Sequence, residues 1–224
     1  MIDHEYNYLL PFLQKTKSKI AVDVGCNEGT VTKKLINLGF NTISIEPNAS
    51  SAELKEALSK IEGLNLFELA ASDRDGEAEL NIGSHTLTSS LESRWVTETF
   101  PDSFNFLTKK KVKTVRLLPF IKSLGIEDIG FLKIDAEGHD PKVLAGMFYE
   151  IDIVPEIVMF ECNRLYPEDL TTNLNLLRKV GYKKFTTFFN CGLDFLVSFQ
   201  YDGAFVPEYW HECDKDFFTN TIAQ

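Results

Sequence analysis

The feature that most limits how this chain can fold is a short segment near its amino terminus, KIAVDVGCNEG at residues 19–29. Its first half is an apolar run typical of a buried strand. Its second half is a tight turn of small and polar residues, and a helix is predicted to start at Gly29 or Thr30. A parallel strand that feeds a helix through glycines presents backbone N–H groups and the positive end of a helix dipole to a ligand. The segment therefore predicts an α/β fold with a nucleotide-type pocket at this turn.

The glycine spacing in this turn argues against a dinucleotide site. A dinucleotide fingerprint reads G-x-G-x-x-G, but counting from Gly25 the second glycine position holds Asn27 and the third holds Thr30. The segment instead places a carboxylate, Asp23, near the strand end and an asparagine in the loop, and asparagine tolerates left-handed backbone angles. Taken alone, the segment also fits a strand-to-helix turn that binds nothing. Other motifs have to decide between a ligand site and such a turn.

Length and composition indicate one globular domain that spans residues 1–224. A hydrophobic content of 44% supplies a core, and no apolar run approaches the roughly 18 residues that a membrane span needs. The net charge of −10 disfavours nucleic acid as a partner, because a phosphate backbone repels a negative protein. The first residues lack the basic start and the apolar stretch of a secretory signal, so a cytoplasmic location is expected.

Hydrophobic periodicity along the chain predicts strands that alternate with helices, as in an α/β fold. An amphipathic helix is predicted within residues 1–17. Residues 77–82 alternate apolar and polar side chains, which predicts a small strand outside the main pattern. The other predicted strands cover residues 20–24, 41–45, 64–69, 112–117, 130–135 and 157–160, with an antiparallel closing pair at residues 182–188 and 195–199.

Two long segments depart from this alternation. Residues 83–111 mix hydroxyl and aromatic side chains over a length at which loops in compact domains often carry function, so we predict that they recognise an acceptor. The basic residues that follow, within 109–116, are predicted to lie on a solvated strand face. The tail, residues 203–224, is aromatic and acidic, and is expected to pack on the pocket rim, close the pocket or meet a second subunit. A homodimer is one option, and the oligomeric state stays open.

Glu46 ends the second predicted strand at close to the roughly 20-residue offset from Gly25 at which a carboxylate reaches a ribose. A carboxylate can accept hydrogen bonds from both ribose hydroxyls. The competing interpretation is an acid that serves the start of the next helix. Because Ser50 and Glu53 form a predicted capping box for that helix, we expect Glu46 to bind ribose instead.

Small residues follow the third predicted strand. Ala70 and Ala71 leave room for a flat adenine ring against the backbone, and Ser72 or Asp73 is placed to accept a hydrogen bond from its amino group. The same residues also fit a turn before a hairpin, which the Asp-Gly pair ending at Gly76 indicates. Both interpretations can hold together.

A second group of polar residues follows the strand predicted at residues 130–135. Groups at the carboxyl ends of central parallel strands converge on the ligand crevice, so Asp135, Glu137 and His139 are expected to face it. Asp135 is either a contact for a ligand amino group or a general base. His139 is the alternative base, because histidine exchanges protons near neutral pH. The competing interpretation is that His139 only begins a helix and has no partner.

A metal site is an alternative interpretation of the same strand ends. Asp135, Glu161 and Asn163 supply three oxygen ligands of the kind that Mg²⁺ accepts. The simpler interpretation is two acids hydrogen-bonded to loop backbone, and on this basis we expect no metal. The four cysteines contain no C-x-x-C pair, which disfavours zinc or a disulfide framework.

Together these motifs resemble the FkbM family of methyltransferases that use S-adenosyl-L-methionine (SAM). The resemblance runs over about residues 20–199, and the chain departs from the family pattern at His139 and Asp140. The motifs that carry it are Asp23-Val-Gly25-x-Asn27-x-Gly29, Ile45-Glu46-Pro47-Asn48, Ala70-Ala71-Ser72-Asp73, Ser89-Ser90-Leu91 and Phe131-Leu-Lys133-Ile-Asp135-x-Glu137-Gly138.

The resemblance implies a class I, Rossmann-like α/β fold, with a mostly parallel seven-stranded sheet, an antiparallel closing pair and helices on both faces. It implies SAM as the cofactor and methyl transfer to a hydroxyl on a sugar, a glycan or a natural-product scaffold. With that cofactor, the expected contacts are Asp23, Gly25, Asn27 and Gly29 around the methionine part, Glu46 at the ribose, Ser72 and Asp73 near the adenine, and Asp135 at the amino group.

Two other classes of function stay open from the sequence. An NAD-dependent reductase or epimerase-type enzyme would need another glycine spacing and a Tyr-x-x-x-Lys pair, which the chain lacks. A non-catalytic binding protein on a methyltransferase fold would keep the sheet and fail to retain SAM.

Overall fold

The structure, a computed structural model, describes residues 2–84, 89–93, 106–163, 167–183, 185–190, 196–201 and 218–223. The strands within these residues are β1 (Ile20–Val24), β2 (Asn41–Ile45), β3 (Asn65–Phe67), β4 (Ala70–Ser72), β5 (Gly76–Gly83), β6 (Phe106–Arg116), β7 (Phe131–Ile134), β8 (Ile157–Asn163), β9 (Phe185–Asn190), β10 (Leu196–Tyr201) and β11 (Phe218–Ala223). The helices are α1 (Ile2–Leu13), α2 (Thr30–Asn37), α3 (Ala52–Leu58), α4 (Leu117–Ser123), α5 (Asp140–Met147) and α6 (Pro167–Val180). Across the part of the chain that the structure describes, no helix is both long enough and apolar enough to cross a lipid bilayer.

The main sheet has the strand order β10-β9-β11-β8-β7-β1-β2-β3. The five strands from β8 to β3 are parallel to one another, and β9, β10 and β11 each pair antiparallel with their neighbours. The chain therefore leaves β1 in one direction to form β2 and β3, and later fills the other side with β7 and β8. A crevice opens where the strand order reverses, at the carboxyl ends of β1 and β7.

Alternate residues of the central strands face opposite sides of the sheet and pack against different helices. Ala21 of β1 and Phe131 of β7 join a core with α1 and α2, which includes Leu9 and Leu35. Their neighbours, among them Val22, belong to the core that α4, α5 and α6 cover. Because both faces are buried, these strands are apolar throughout rather than alternating, and the predicted α/β fold with helices on both faces is confirmed.

The strand arrangement differs from the prediction in two places. The main sheet contains eight strands among the described residues rather than seven, because β11 from the tail lies between β8 and β9. Of residues 112–117, predicted only as a further short strand, residues 112–116 belong to the long strand β6, which pairs with β4 and β5 in a separate three-stranded sheet, and Leu117 begins α4. Periodicity shows that a segment is extended, but the partner strand depends on contacts far along the chain.

Strand β6 begins inside the segment predicted for acceptor recognition, so residues 106–111 are strand and not loop. Lys109, Lys111 and Lys113 are exposed as predicted, and Lys109 forms an exposed ion pair with Glu79 of β5 at 2.9 Å. Lys110 lies on the other side of the strand and is half-buried, where its ammonium group is 2.8 Å from Glu68 Oε1 and donates to the carbonyl oxygen of Pro47 at 3.3 Å. Residues 77–82 form most of β5, which confirms the small additional strand. Residues 85–88 and 94–105, and residues 202–217 of the tail, lie outside the described residues.

The start of α3 lies one residue later than the predicted capping box. Ser51 is the N-cap, and its hydroxyl accepts a hydrogen bond from the backbone N–H of Leu54 at 3.4 Å. Ser50 instead donates its hydroxyl hydrogen to Glu68 Oε1 at 2.5 Å. The helix is therefore capped without Glu46, as the sequence argument required, but by the neighbouring serine.

Candidate cofactor and acceptor site

An open cavity of about 640 Å³, counting the space continuous with solvent, lies at the carboxyl ends of β1, β2 and β7. Both sheets and the loops after their strands contribute to its walls. The lining residues are Val24, Gly25, Asn27, Ile45, Glu46, Pro47, Ala70, Ala71, Leu80, Ser89, Ser90, Leu91, Asp135, Ala136, Glu137 and His139.

The turn after β1 is built from three residues in the left-handed conformation. Gly25, Asn27 and Gly29 have φ angles of 71°, 46° and 76°. A Cβ atom on Gly25 would lie 1.8 Å from the carbonyl oxygen of Asp135, so only glycine lets β1 end this close to β7. Gly29 packs instead against Ile61, and it does not line the cavity. Of the predicted glycine contacts, Gly25 is at the cavity and Gly29 shapes the turn.

Glu46 lines the cavity and also holds the turn after β1. Its Oε2 accepts a hydrogen bond from the backbone N–H of Asn27 at 3.1 Å, and its Oε1 accepts one from the backbone N–H of Asn48 at 2.9 Å. Burial raises the pKa of Glu46 above its usual range, although both N–H groups act in the opposite direction. A carboxylate has about four acceptor sites, so acceptor sites remain for a ligand.

Asp23 does not line the cavity but lies beneath it, fully buried. Thr32 donates its hydroxyl hydrogen to Asp23 Oδ2 at 2.6 Å, and the ammonium group of Lys133 lies 3.2 Å from Asp23 Oδ1. The same ammonium donates to the carbonyl oxygen of Gly25 at 2.9 Å and lies 3.3 Å from Asp135 Oδ2. Asp23 on β1 therefore contacts both α2, through Thr32, and β7, through Lys133.

Lys133 has a structural role beside the cavity that the sequence reasoning missed. Burial disfavours its charge, but the carboxylates of Asp135 and Asp23 outweigh burial and raise the pKa of Lys133 well above its usual range. The available signal was a lysine in an apolar four-residue strand, because a charge in a buried strand requires a partner. Lys133 ties β1 to β7 at the floor of the cavity.

The part of the cavity that the sequence predicts for adenine is lined by the two alanines rather than by the residues after them. Ala70 and Ala71 line the cavity, whereas Ser72 is buried away from it and Asp73 is exposed outside it. The reason is close helix packing, since a Cβ atom on Gly146 of α5 would lie 1.8 Å from the carbonyl oxygen of Ser72. The structure therefore does not bring Ser72 and Asp73 to the cavity.

His139 lines the cavity with both ring nitrogens engaged. Its Nε2 lies 2.9 Å from Ser72 Oγ, and its Nδ1 lies 2.8 Å from Glu92 Oε1. It occupies the N-cap position of α5, so the interpretation as a helix-start residue was correct in position but wrong in leaving it without a partner.

Glu92 also contacts Lys142 at 2.5 Å. The hydrogen bond with His139, followed by that with Lys142, lowers the pKa of Glu92 to about 2, against the opposing effect of burial.

The segment around Ser90 forms one wall of the cavity and is anchored to both sheets. Its backbone pairs with Asn81 of β5 through two hydrogen bonds of 2.9 and 3.0 Å. Its hydroxyl donates to the carbonyl oxygen of Glu137 at 2.6 Å. Residues 89–93, inside the segment predicted for acceptor recognition, are therefore fixed beside the site, with Glu92 as an anchor that sequence reasoning did not identify.

Three acids converge at the floor of the site. Asp135, Glu137 and Glu161 each place one carboxylate oxygen within 4.8 Å of the others. Burial, followed by the negative charges of Glu137 and Asp135, raises the pKa of Glu161 well above its usual range. Of the metal ligands weighed from the sequence, Asp135 and Glu161 are brought together, while the side chain of Asn163 lies outside the described residues.

Asp140 connects the two segments that carry these acids. Its Oδ2 accepts a hydrogen bond from the backbone N–H of Ala136 at 3.2 Å, and its Oδ1 accepts one from the backbone N–H of Glu161 at 3.0 Å. Asp140 is 1% exposed. Burial, and then the charge of Asp135, raises its pKa to about 7.

Comparison with known proteins decides what this site belongs to. The model of the family described as "Methyltransferase FkbM domain" matches residues 23–184, which include every residue that lines the cavity. The chain belongs to the FkbM methyltransferase family. The cofactor of this FkbM domain is SAM, as the sequence motifs implied.

The FkbM chain is also similar to 2-O-methyltransferase NoeI of Sinorhizobium fredii (strain NBRC 101917 / NGR234), with 26% identity over 145 residues that cover 57% of this chain and 56% of NoeI. It therefore spans about half the length of the curated relative that it matches. A solved SAM dependent methyltransferase from Archaeoglobus fulgidus is 12% identical, covers 99% of this chain and 92% of its own, and has a TM-score of 0.50. Precorrin-6y C5,15-methyltransferase from Geobacter metallireducens GS-15 is 11% identical over 97% and 86% of the two chains, with a TM-score of 0.48. The structural likeness at 0.50 supports the fold.

The residues around the FkbM cavity fit SAM. Asn27 Oδ1 is buried and has no hydrogen-bond partner among the described residues, so an N–H or O–H group of a ligand would satisfy it. Glu46 faces the same cavity with acceptor sites left for ribose hydroxyls. Ala70 and Ala71 leave space for a flat ring. SAM supplies a methyl group bonded to a positively charged sulfur, which an acidic cavity favours.

Proposed function

We propose that this FkbM-family protein transfers the methyl group of SAM to a hydroxyl oxygen of a sugar, a glycan or a natural-product scaffold. The observation that carries the proposal is one cavity that is lined both by groups after β1 and β2 and by a group after β7. Asn27 and Glu46 offer hydrogen-bond acceptors on the cofactor side, and Asp135 offers a carboxylate on the other. The similarity to a 2-O-methyltransferase favours oxygen as the atom that receives the methyl group.

In this proposal the cofactor lies along the carboxyl ends of β1 and β2. The backbone of Gly25 and the side chain of Asn27 hold the methionine part, and Glu46 holds the ribose. Ala70 and Ala71 lie against the adenine. Asp23 and Gly29, which the sequence placed among the cofactor contacts, act by shaping the turn that Gly25 and Asn27 present.

The reaction is an in-line displacement. The acceptor O–H bond breaks and its proton passes to the Asp135 carboxylate. The oxygen forms a bond to the methyl carbon as the carbon–sulfur bond breaks, and the electron pair of that bond stays on sulfur to give S-adenosylhomocysteine. Holding the reacting atoms in line contributes about 7–11 kcal/mol, whereas a general base contributes about 10²–10⁴-fold. Positioning is therefore the larger contribution.

Asp135 is a better candidate for the base than His139. The Asp135 side chain is 40% exposed at the cavity, whereas the His139 side chain is 7% exposed. Both ring nitrogens of His139 already have partners, so a proton transfer would first break one of those hydrogen bonds. We assign His139 as a positioning residue, because it connects the Ser90 wall, through Glu92, to β4, through Ser72.

An acceptor screen with methyl-labelled SAM tests the proposal. Sugars, glycolipid precursors and phenols are incubated with the full chain, and label in a hydroxyl-containing product is the expected result. Calorimetry with SAM, S-adenosylhomocysteine and NADH is run in parallel, and we expect the first two to bind. Binding of NADH in their place would favour a reductase. Binding of SAM with no transfer to any hydroxyl acceptor would favour a non-catalytic binding protein.

A further inference from the structure

A cluster of three carboxylates at the floor of the cavity contains two acids, Glu137 and Glu161, that the proposed methyl transfer does not use. We propose that Asp135, Glu137 and Glu161 form a binding site for a divalent cation that prefers oxygen ligands, such as Mg²⁺, Mn²⁺ or Ca²⁺. Asp135 and Glu137 line the cavity, and Glu161 lies behind them on β8. This proposal departs from the sequence-based expectation of no metal.

The spacing of the cluster suits one coordination shell. One oxygen from each acid lies within 4.8 Å of the other two. Two ligands of the same ion are at most about twice the metal–oxygen distance apart, which is about 4.6–5.2 Å for Ca²⁺ and about 4.2 Å for Mg²⁺. The 4.8 Å spacing therefore lies in the range for Ca²⁺, and the smaller Mg²⁺ would draw the three carboxylates closer together. A set of carboxylate oxygens without sulfur or imidazole selects this class of cation.

Glu161 provides an independent observation that points to a ligand. It is 8% exposed, and its Oε2 is buried with no hydrogen-bond donor among the described residues. The group beside it is the carboxylate of Asp135, which offers only acceptor oxygens when ionised. A buried carboxylate without a donor is costly, and two facing carboxylates need a proton or a cation between them.

The two chain segments that carry the ligands are held in place before any ion binds. Asp140 accepts hydrogen bonds from two backbone N–H groups, those of Ala136 and Glu161. Ala136 lies between Asp135 and Glu137 in the chain. Such outer contacts orient metal ligands in proteins. Lys133 contacts one oxygen of Asp135 and also serves Asp23, so its single positive charge is shared between two acids.

Binding of the cation does not depend on the proposed function, but its use in catalysis does. A cation between Asp135 and Glu137 would lie at the acceptor side of the cavity, where it would polarise a hydroxyl and lower the pKa of that hydroxyl. The experiment therefore measures cation binding without SAM or acceptor.

The test is titration of the full chain with Mn²⁺, with loss of the free-ion paramagnetic resonance signal as the readout. We expect one bound ion per chain, displaced by excess Mg²⁺ or Ca²⁺. Glu161→Gln is expected to weaken Mn²⁺ binding about tenfold or more, in the range known for changes around metal sites. Glu62→Gln removes an exposed acid outside the cluster and is the matched control, with unchanged binding.

Thermal unfolding separates loss of the site from loss of the fold. Mn²⁺ is expected to raise the Tm of the wild-type chain and of Glu62→Gln, but not that of Glu161→Gln. Glu161→Gln without metal should unfold at or above the wild-type Tm, because it removes a buried charge. No Mn²⁺ binding by the wild-type chain, or equal binding by Glu161→Gln, would overturn the cation site. Mn²⁺ binding without SAM binding would overturn the proposed function and leave the cation site in place.

Discussion

Glu46 accepts a hydrogen bond from the backbone N–H of Asn27 at 3.1 Å. The carboxylate proposed to bind the ribose therefore also fixes the turn proposed to bind the methionine part. The two halves of the cofactor site are therefore coupled through one side chain. Glu46→Ala should weaken both SAM and S-adenosylhomocysteine binding by about ten- to a hundredfold, since hydrogen bonds to a charged group contribute about 1.5–3 kcal/mol. Calorimetry measures both affinities. Glu28→Ala, an exposed acid in the same turn, is the control, and equal affinities in the two variants would refute the ribose assignment.

Lys133→Met should destabilise the protein strongly. The substitution leaves Asp23 buried without its cation, and breaking a buried ion pair costs about 3–5 kcal/mol. Urea unfolding measures the loss, and Lys33→Met on the exposed side of α2 should change stability little. Adding Asp23→Asn to Lys133→Met should restore part of the stability. If the double variant is no more stable than Lys133→Met, the two residues are not coupled as described.

Two glycines with similar backbone angles offer a matched pair. Gly25 and Gly39 both have a positive φ, 71° and 86°, but a Cβ on Gly39 meets no atom within 4 Å. Gly39→Ala should cost only the left-handed strain of about 1–2 kcal/mol. Gly25→Ala adds a clash with the Asp135 carbonyl, so it should destabilise more and remove measurable SAM binding. Equal unfolding free energies for the two variants would contradict the close approach of β1 and β7.

The hydrogen bond between Glu92 and His139 predicts a pH-dependent contribution to stability. The pKa of Glu92 is about 2 in the folded chain, below its usual value of 4.5, so the folded state favours the ionised acid. Its contribution is present above about pH 4.5 and is lost as the pH falls towards 2. Glu92→Gln should be less stable than the wild-type chain at pH 7, by about 1–3 kcal/mol. Unfolding measured as a pH series should show this gap closing below pH 4.5, and a constant gap would be inconsistent with the assignment.

Once an acceptor is known, Asp135 and His139 should have different kinetic effects. Asp135→Asn should lower kcat by about 10²–10⁴-fold, the range for loss of a general base. His139→Ala should instead raise the KM for the acceptor, because the ring holds the Ser90 wall through Glu92 and does not take the proton. Steady-state kinetics at saturating SAM separate the two. A larger loss of kcat in His139→Ala than in Asp135→Asn would exchange their roles.

The local sequence pattern predicted much of the site. The apolar run ending at Val24 predicted a buried strand, the glycines and Asn27 predicted a turn with left-handed angles, and polar residues directly after strands predicted which side chains reach the crevice. Glu46 and Asp135 both lie there. These properties depend on residues close in the chain, because strand burial, turn geometry and the direction of parallel strands are set over a few residues.

The tertiary structure decided which distant residues meet. Helix α5 packs so closely on Ser72 that this residue turns from the cavity to His139, and the pairing of β11 with β8 and β9 gives the sheet its eighth strand. The approach of Glu161 to Asp135 results from the pairing of β8 with β7. A sequence pattern reports whether a residue is buried, but not which neighbour it is buried against. That choice depends on packing between segments far apart in the chain, and here it determines the charge and the chemistry at the floor of the site.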